Sequence, residues 1–392
     1  MTVRACMLVH EHYPRDFRVR REARALVEAG VEVCVVALRR PGEPAREWID
    51  GAEVIRLPVQ RHRGAPLAVY LAEYLAFAAA AAPVLSALHL ARRFDLVHVH
   101  TPPDFLLAAA APLRLAGVRL VLDIHDLTPE LYASRFHGRG GELARTACHA
   151  AEQGACRLAD RVITTTGAFR DLLIERGVRP EKVSVVHNCP DPVLFPPRKP
   201  ATRTGQGGQR PFVIIHHGTI LHRYGQDLLL EAFSRVAGRI PRAELHVYGD
   251  GDLLPRLRRR AARATLRGRV FLHGEVPQEE VARALAGADL CVVPNRSDPI
   301  MELAFPTKLL EAMQVGVASI ASSTRLVAET FAEGGVHLVP PGDARQLAGS
   351  ILHLATDYQA RAELVARARE QIGRFCWDQE KQKLVDLYRG IV

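Results

Sequence analysis

Lys308 and Glu311 lie three residues apart at a predicted helix start, so both side chains fall on one face of the helix. The segment 295–311 follows the short apolar run 290–293, which is typical of a buried parallel strand. Pro306 suits the first helical position, because its missing N–H costs nothing there. A helix N-terminus and a lysine favour a phosphate, and a glutamate can accept hydrogen bonds from two ribose hydroxyls. The pattern therefore predicts half of a nucleotide site, and the alternative is an ordinary surface Lys–Glu pair.

His125 and Asp126 stand directly after the strongly apolar run 118–124, where burial would otherwise be expected. The histidine could donate a hydrogen bond to a hydroxyl or a phosphate oxygen. The aspartate could orient the histidine or cap the next segment. The alternative is a loop histidine beside a capping aspartate.

Charged residues also follow the first predicted strand of each half. Asp16 and Arg18 could contact an anion, whereas Arg20 is better explained as part of a solvated helix face. Arg223 lies in the first loop of the second half, and Arg296 lies within the segment that opens the predicted nucleotide site. Together these residues predict cations around one anion site.

The elements that would position these residues alternate between apolar strands and amphipathic helices, which indicates parallel sheets with helices on both faces. Polar residues recur just after the strands, where open α/β sheets bind their ligands. The Pro- and Gly-rich segment 196–210 reads as a linker between domains 1–195 and 211–375, and 376–392 is a separate closing helix. The predicted strands are 5–9, 31–37, 52–57, 96–100, 118–124, 161–165, 183–187, 212–216, 244–248, 270–273, 290–293, 318–321 and 336–339.

The 392 residues carry a net charge of +9, which favours anionic partners. The sequence has no aromatic-plus-basic RNA motif and no zinc-finger spacing, so nucleic acid is not expected as a partner. The seven cysteines are scattered without any CxxC pair, which indicates reduced core residues in a cytosolic protein. The chain starts directly with a predicted strand rather than a secretory signal.

Several catalytic motifs are missing. The sequence contains no GxGxxG, GxxxxGK[ST] or GxSxG pattern, which counts against nicotinamide enzymes, P-loop NTPases and α/β-hydrolases. Asp250 and Asp252 resemble a DxD metal motif, but they belong to a Gly-rich turn that opens a helix. No metal site is therefore predicted.

The Ala-rich segment 65–90 is nearly uncharged and long enough to suggest a membrane span. Glu73, Pro83 and His89 interrupt it, so a packed helix is the preferred interpretation. Attachment to an anionic membrane surface is a further alternative, because the segment is flanked by arginines. These are Arg61, Arg63, Arg92 and Arg93.

As an ordered set along almost the whole chain, these motifs resemble the retaining GT-B glycosyltransferases of family four. The similar segments are His125-Asp126, Asn188-Cys-Pro-Asp191, Gly218 to Gly225, Gly249-Asp-Gly251, His273-Gly-Glu-Val276 and Phe305-Pro-Thr-Lys-Leu-Leu-Glu-Ala-Met313. The resemblance implies two Rossmann-like, doubly wound α/β domains facing an interdomain cleft. It also implies that the closing helix 376–392 packs back on the first domain. The segment from Tyr13 to Ala23 resembles the branch that builds bacterial polysaccharides and natural-product glycosides.

The resemblance also implies roles for individual residues. Val276 would hold the base through its backbone, Glu311 the ribose, and Lys308 and Arg223 the diphosphate. His125 would face the transferred sugar. The remaining donor-side residues would be Gly218, Arg296, Glu302, Phe305, Pro306 and Thr307, and the acceptor-side residues Asp16, Arg18 and Asp126.

Two departures from the family pattern affect the donor site. The family has two glutamates eight residues apart, but the position eight before Glu311 is Leu303, and Glu302 or Asp298 could take its role. The usual Arg and Lys of the first loop align by spacing with Thr219 and Tyr224, so Arg223 could substitute.

The expected reaction is sugar transfer from a nucleoside diphosphate sugar, with UDP favoured, to an acceptor hydroxyl with retention and without metal or cofactor. The acceptor would be a lipid-linked saccharide or a small natural product, and the location cytoplasmic, with the inner membrane face as an option. The alternatives are a nucleotide-sugar epimerase of the same fold and a noncatalytic nucleotide-binding protein.

Overall fold

The computed structural model describes residues 2–62, 65–136, 141–198 and 210–392. The chain divides into two compact units. The first comprises Met1–Asn188 and Asp378–Val392, and the second comprises Cys189–Trp377. Most of the predicted linker, 199–209, lies outside the described residues, as does Arg63.

Eight strands form the sheet of the first unit. They are β1 (Arg4–His12), β2 (Glu32–Leu38), β3 (Arg46–Ile49), β4 (Ala52–Leu57), β5 (Leu96–Thr101), β6 (Arg119–Ile124), β7 (Arg161–Thr164) and β8 (Val183–Val185). Their order is β3-β4-β2-β1-β5-β6-β7-β8, and all neighbours are parallel except the edge pair β3–β4. The strand order changes direction between β1 and β5, and such a switch point leaves a crevice at the carboxyl ends of the two strands.

Five helices of the first unit precede the linker. They are α1 (Phe17–Glu28), α2 (Leu67–Arg92), α3 (Thr128–Phe136), α4 (Gly141–Leu158) and α5 (Gly167–Glu175). The carboxylate of Asp16 caps α1 by accepting a hydrogen bond from the Arg18 backbone N–H. A long 3₁₀ helix at Asp104–Ala116 was not predicted from the sequence.

Six parallel strands form the sheet of the second unit. They are β9 (Phe212–His217), β10 (Ala243–Tyr248), β11 (Val270–Gly274), β12 (Leu290–Val293), β13 (Ala318–Ser322) and β14 (His337–Val339). Their order is β11-β10-β9-β12-β13-β14. The reversal falls between β9 and β12, and the loops after these two strands carry most of the predicted donor-site residues.

Seven helices cover this second sheet. They are α6 (Gln226–Val236), α7 (Leu254–Ala261), α8 (Gln278–Gly287), α9 (Thr307–Val315), α10 (Arg325–Thr330), α11 (Ala344–Thr356) and α12 (Tyr358–Ile372). Neighbouring residues of β9 point to opposite faces of the sheet. Ile214 belongs to the core beneath α6, and Ile215 belongs to the core that buries Leu309 and Met313 of α9.

The last helix, α13 (Trp377–Ile391), returns to the first unit. Its side chains Leu384 and Tyr388 are buried in the core that also contains Val19 and Leu26 of α1. The end of the chain therefore packs against the elements that carry the first unit's polar residues.

The predicted α/β fold with two Rossmann-like parallel sheets is confirmed, with local differences. The short strand β3 was missed, because its alternating exposed residues form an antiparallel edge rather than a buried run. Pro306 is the N-cap of α9 and not its first helical residue, with an extended ψ of 104°. The first free N–H of that helix therefore belongs to Thr307.

Candidate functional site

Lys308 is a buried cation at the switch point of the second sheet. The side chain is only 9% exposed. Its Nζ lies 4.5 Å from the ring centroid of Tyr224, which follows β9 in the chain. The apolar residues Leu309 and Met313 anchor α9 in the core, so they fix the direction in which Lys308 leaves the helix.

Two glycines allow the loop after β9 to approach this lysine. A Cβ on Gly218 would lie 3.1 Å from Lys308 Nζ, and the residue has a φ of +106° that side chains rarely adopt. A Cβ on Gly225 would lie 1.9 Å from the carbonyl oxygen of Pro294, in the loop after β12. These contacts explain why both positions require glycine.

Burial lowers the pKa of Lys308 to about 8, although Cys291 and Glu311 act in the opposite direction. The protein therefore compensates the ammonium charge incompletely where it removes it from water. An anionic ligand at this position would supply the missing stabilisation and raise the pKa again.

Glu311 lies one helical turn further along α9 and is also buried. Its Oε2 is 3.5 Å from Nδ1 of His217 at the end of β9. Burial and the charge of Lys308 lower the pKa of His217 to about 3, so the imidazole is neutral near pH 7. This neighbour does not neutralise the carboxylate, which can accept hydrogen bonds from hydroxyl groups.

Arg296 donates hydrogen bonds to the loop that carries Arg223. Its guanidinium pairs with Asp227 at 2.8 Å and donates a hydrogen bond to the His222 carbonyl at 3.1 Å. Its backbone N–H donates to the Arg223 carbonyl at 2.8 Å. Arg223 itself lies with its guanidinium carbon 5.4 Å from the Tyr224 ring centroid. The structure thus gives Arg296 a contact with the Arg223 loop.

Glu302 and Asp298, the two candidates for the missing first glutamate, bond to nearby backbone. The Glu302 carboxylate accepts a hydrogen bond from Arg325 N at 2.6 Å, at the start of α10. Asp298 Oδ1 accepts from Ile300 N and Met301 N at 3.0 and 2.8 Å. Each carboxylate stabilises a turn or helix start.

The other predicted donor residues are placed by packing. Phe305 stacks on Phe375 with ring centroids 5.3 Å apart, which fixes the approach to the start of α9. Val276 is partly buried against the core on the same side of the sheet. Asp250, from the DxD-like turn, accepts a hydrogen bond from Gly251 N at 2.8 Å, as expected for a turn residue.

In the first unit, the carboxylate that contacts His125 is Asp123 and not Asp126. Asp123 Oδ2 lies 3.0 Å from Nε2 of His125 and 3.1 Å from Nδ1 of His100. His100 and Asp123 face each other in the register of β5 and β6, and His125 follows Asp123 by two residues, on the same side. Asp123 was missed because it interrupts an apolar strand. Its alternation with His125 was the available signal.

Asp16 and Arg18 join the same charged neighbourhood. Their side chains pair at 3.2 Å. Burial opposes ionisation of Asp16, but the charge and hydrogen bond of Arg18, with a contribution from His125, lower its pKa. Burial likewise opposes the charge of Arg18, whereas Asp16, with a contribution from Asp126, raises its pKa. The structure therefore links the three predicted acceptor-side residues Asp16, Arg18 and Asp126 electrostatically with one another and with His125.

The long helix α2 is apolar enough to cross a membrane by length and composition, with 22% of its most apolar window buried. Residues at helical spacing, including Tyr70, Phe77 and Leu85, are buried against the first unit. Other leucines are exposed, among them Leu71, Leu75 and Leu90. Two flanking arginines already have acidic partners, because Arg61 pairs with Glu11 and Arg92 with Glu53.

Sequence models of known families match both halves of the chain. The Glycosyl transferase 4-like domain matches residues 17–189, and the Glycosyl transferases group 1 domain matches residues 211–357. The 2-deoxystreptamine N-acetyl-D-glucosaminyltransferase of Streptomyces fradiae is 30% identical over 390 residues. That alignment covers 94% of this chain and 88% of the relative.

Solved structures share the fold along the whole chain. The sucrose-phosphate synthase of Thermosynechococcus elongatus superposes with a TM-score of 0.79 at 22% identity, covering 99% of both chains. The Anabaena protein HepE, solved in complex with UDP and glucose, gives a TM-score of 0.72 at 19% identity. That superposition covers 99% of this chain and 100% of HepE.

Proposed function

Because this chain belongs to the GT-B glycosyltransferases of glycoconjugate biosynthesis, we propose that it transfers a sugar from a nucleoside diphosphate to an acceptor hydroxyl. The transfer retains the anomeric configuration and requires no metal. The observation that carries the proposal is the buried, incompletely compensated Lys308 beside the start of α9, one turn before Glu311. This arrangement suits a diphosphate followed by a ribose.

The demanding event in such a transfer is departure of the diphosphate. Negative charge develops on the phosphate oxygens as the glycosidic bond breaks. Lys308 and the free N–H groups at the start of α9 would stabilise that charge from fixed positions. The cation is already desolvated, so its attraction for the leaving group is stronger than it would be in water.

We favour UDP as the nucleotide because HepE, which shares the fold, was solved with UDP. The backbone near Val276 would hold the base and Glu311 the ribose hydroxyls. Arg223 would assist Lys308 at the diphosphate. Glu302 and Arg296 would act on the donor site through the backbone segments that they hold.

For the acceptor we propose a small aminocyclitol, supported by the full-length similarity to the 2-deoxystreptamine-modifying enzyme of Streptomyces fradiae. His125, with Asp16, Arg18 and Asp126, would serve the sugar and the acceptor. A lipid-linked saccharide is the second candidate, favoured by the exposed leucines of α2. In that case the cytoplasmic enzyme would touch the membrane surface through this helix.

A direct test offers the purified enzyme UDP-hexoses and UDP-N-acetylhexosamines with either 2-deoxystreptamine or a lipid-linked saccharide in vesicles. We expect UDP release coupled to a glycoside whose anomeric proton coupling matches that of the donor, with equal rates in EDTA. An inverted product would contradict retention, and loss of activity in EDTA that Mg²⁺ restores would contradict metal independence.

The same experiment separates the rival functions. An epimerase would convert the UDP-sugar without an acceptor, and a noncatalytic protein would bind UDP without any turnover. Cosedimentation of the protein with vesicles that contain no 2-deoxystreptamine would support membrane contact. Sedimentation of the protein to the same extent without vesicles would remove that support.

A further inference from the structure

A cluster of buried titratable side chains lies beneath His125 in the first unit. It draws on α1, β5, β6 and α13, and we call it the imidazole cluster. Its members are Glu22, His98, His100, Asp123, His125 and Tyr388, each no more than 5% exposed. Nothing in the proposed donor site requires such a concentration of polar groups in a hydrophobic interior, where each must be bonded or neutral.

Asp123 is the centre of the imidazole cluster. One oxygen, Oδ2, lies 3.0 Å from His125 Nε2, 3.1 Å from His100 Nδ1 and 3.6 Å from His98 Nε2. His100 Nδ1 and His125 Nε2 also lie 3.2 Å from each other. Because an ionised carboxylate only accepts hydrogen bonds, we assign each of these two nitrogens a proton that points at Oδ2. Burial opposes its ionisation, but the charge of His125 and the imidazole hydrogen bonds keep the pKa of Asp123 well below the usual range.

Glu22 and His100 are both shifted towards their neutral forms beside this carboxylate. Burial and the charge of Asp123 raise the pKa of Glu22 well above the usual range. Burial and the neighbouring His98 lower the pKa of His100 to about 3. One negative charge is therefore held opposite one particular nitrogen of His125.

The outer end of the imidazole cluster reaches the last helix of the chain. His98 stacks on His100 with ring centroids 4.2 Å apart, and its Nδ1 lies 2.8 Å from the Tyr388 hydroxyl. Tyr388 is buried and belongs to α13, which is 290 residues away from His98 in the sequence. The final helix thus fixes the ring on which the next imidazole rests.

We propose that the imidazole cluster fixes the tautomer and orientation of His125, with Asp123 as the principal positioning residue and Tyr388 as its outermost one. When the ring carries a single proton, that proton is held on Nε2, so Nδ1 is an acceptor. His125 then receives a hydrogen bond from a sugar or acceptor hydroxyl instead of donating one. This inference rests on the proposed function for the identity of the ligand, but not for the tautomer.

The test combines a kinetic and a spectroscopic measurement on the full chain. Asp123→Asn should lower kcat by up to about 100-fold while KM for the donor changes little, because the donor site lies in the other unit. Tyr388→Phe keeps the ring and removes only the hydroxyl, and we expect a loss of about 3- to 10-fold. Glu152→Gln, at another buried carboxylate of the first unit that pairs with Arg176, is the matched control and should leave kcat unchanged.

Long-range ¹H–¹⁵N spectra of the imidazoles report the tautomer without any turnover, with the His125 signals assigned from a His125→Gln variant. Wild type should show a proton on Nε2, and Asp123→Asn should shift His125 towards exchange between tautomers. Wild-type protein with the proton on Nδ1, or equal kcat in Asp123→Asn and wild type, would overturn the proposal. If no transfer is found at all, the spectra still test the tautomer while the proposed function fails separately.

The donor atoms of Glu22, His98, His100 and Asp123 lie within 4.8 Å of one another, close enough to hold a metal ion. Elemental analysis of the dialysed protein is therefore part of the test. We expect no stoichiometric metal. If the wild-type protein held one equivalent of metal and Asp123→Asn lost it, the proposal would be overturned. A ring nitrogen that binds a metal cannot also carry the proton that the proposal places on it.

Discussion

At the carboxyl ends of its strands the second unit holds a buried cation, whereas the first unit holds imidazoles and carboxylates that bond to one another. Lys308 remains incompletely compensated, and its pKa falls to about 8. Asp123 is instead matched by two imidazole nitrogens at 3.0 and 3.1 Å. The difference indicates two tasks, because an incompletely compensated charge attracts an ionic ligand and a compensated one orients its neighbours.

The largest expected effect comes from removing the charge in the second unit. Lys308→Met keeps a side chain of similar length, and we expect kcat to fall about 10²- to 10³-fold, as for loss of one group that stabilises developing charge. Thermal stability should not fall, because methionine is not penalised for burial. Lys383→Met, which removes a half-exposed lysine from α13, is the control and should be silent. Equal losses in both variants would show that the effect is not specific to the buried charge of Lys308.

The next effect concerns the carboxylate one turn along α9. Glu311→Gln should weaken donor binding roughly 10- to 100-fold, since a hydrogen bond to a charged group contributes about 1.5–3 kcal/mol. The loss should disappear with a donor whose ribose lacks both hydroxyls. Measuring KM for both donors with the wild type and the variant gives the coupling free energy between Glu311 and the ribose hydroxyls. If Glu311→Gln weakened binding of the dideoxy donor equally, Glu311 would not be the residue that binds the ribose hydroxyls.

The pH dependence of kcat/KM gives a second test of the buried charge on Lys308. Because the pKa of Lys308 is lowered to about 8, kcat/KM should fall about tenfold per pH unit above that value as the charge is lost. Between pH 8 and about 10.4 the unfolded chain keeps a proton that the folded one has released, so this lysine's contribution to stability rises with pH. Lys308→Arg should move the decline in kcat/KM to higher pH, and an unmoved decline would assign it to another group.

The smallest expected effect is at Glu302. Its carboxylate caps the start of α10, so Glu302→Gln should cost about 0.5–1 kcal/mol of stability, while kcat stays within about twofold. Chemical denaturation and initial rates check both parts. A hundredfold loss of kcat with unchanged stability would instead make Glu302 a donor ligand.

The sequence patterns brought Lys308 and Glu311 together, but they did not find the residues that contact His125. Lys308 and Glu311 share one helix, so their three-residue spacing was enough to place them on one face. Asp123 and His100 belong to different strands, and each interrupts an otherwise apolar run. Tyr388 reaches His98 only because α13 folds back onto the first unit, a long-range contact that no local pattern reports.

Local backbone details were also beyond the sequence patterns. Pro306 was predicted as the first residue of α9, but the structure makes it the N-cap, because its ψ is extended. Asp126 was one candidate for orienting His125, with helix capping as the alternative, whereas strand alternation brings Asp123 to the same side as His125. In both cases the residue types were informative. The backbone dihedral of Pro306 and the side of the strand on which Asp123 lies then decided the roles.

Calorimetric titration with UDP and with uridine shows whether the second unit holds a diphosphate on Lys308. UDP should bind Lys308→Met roughly 10- to 100-fold more weakly than wild type, while uridine binds both equally and Asp123→Asn binds UDP like wild type. Undiminished UDP affinity in Lys308→Met would contradict the account.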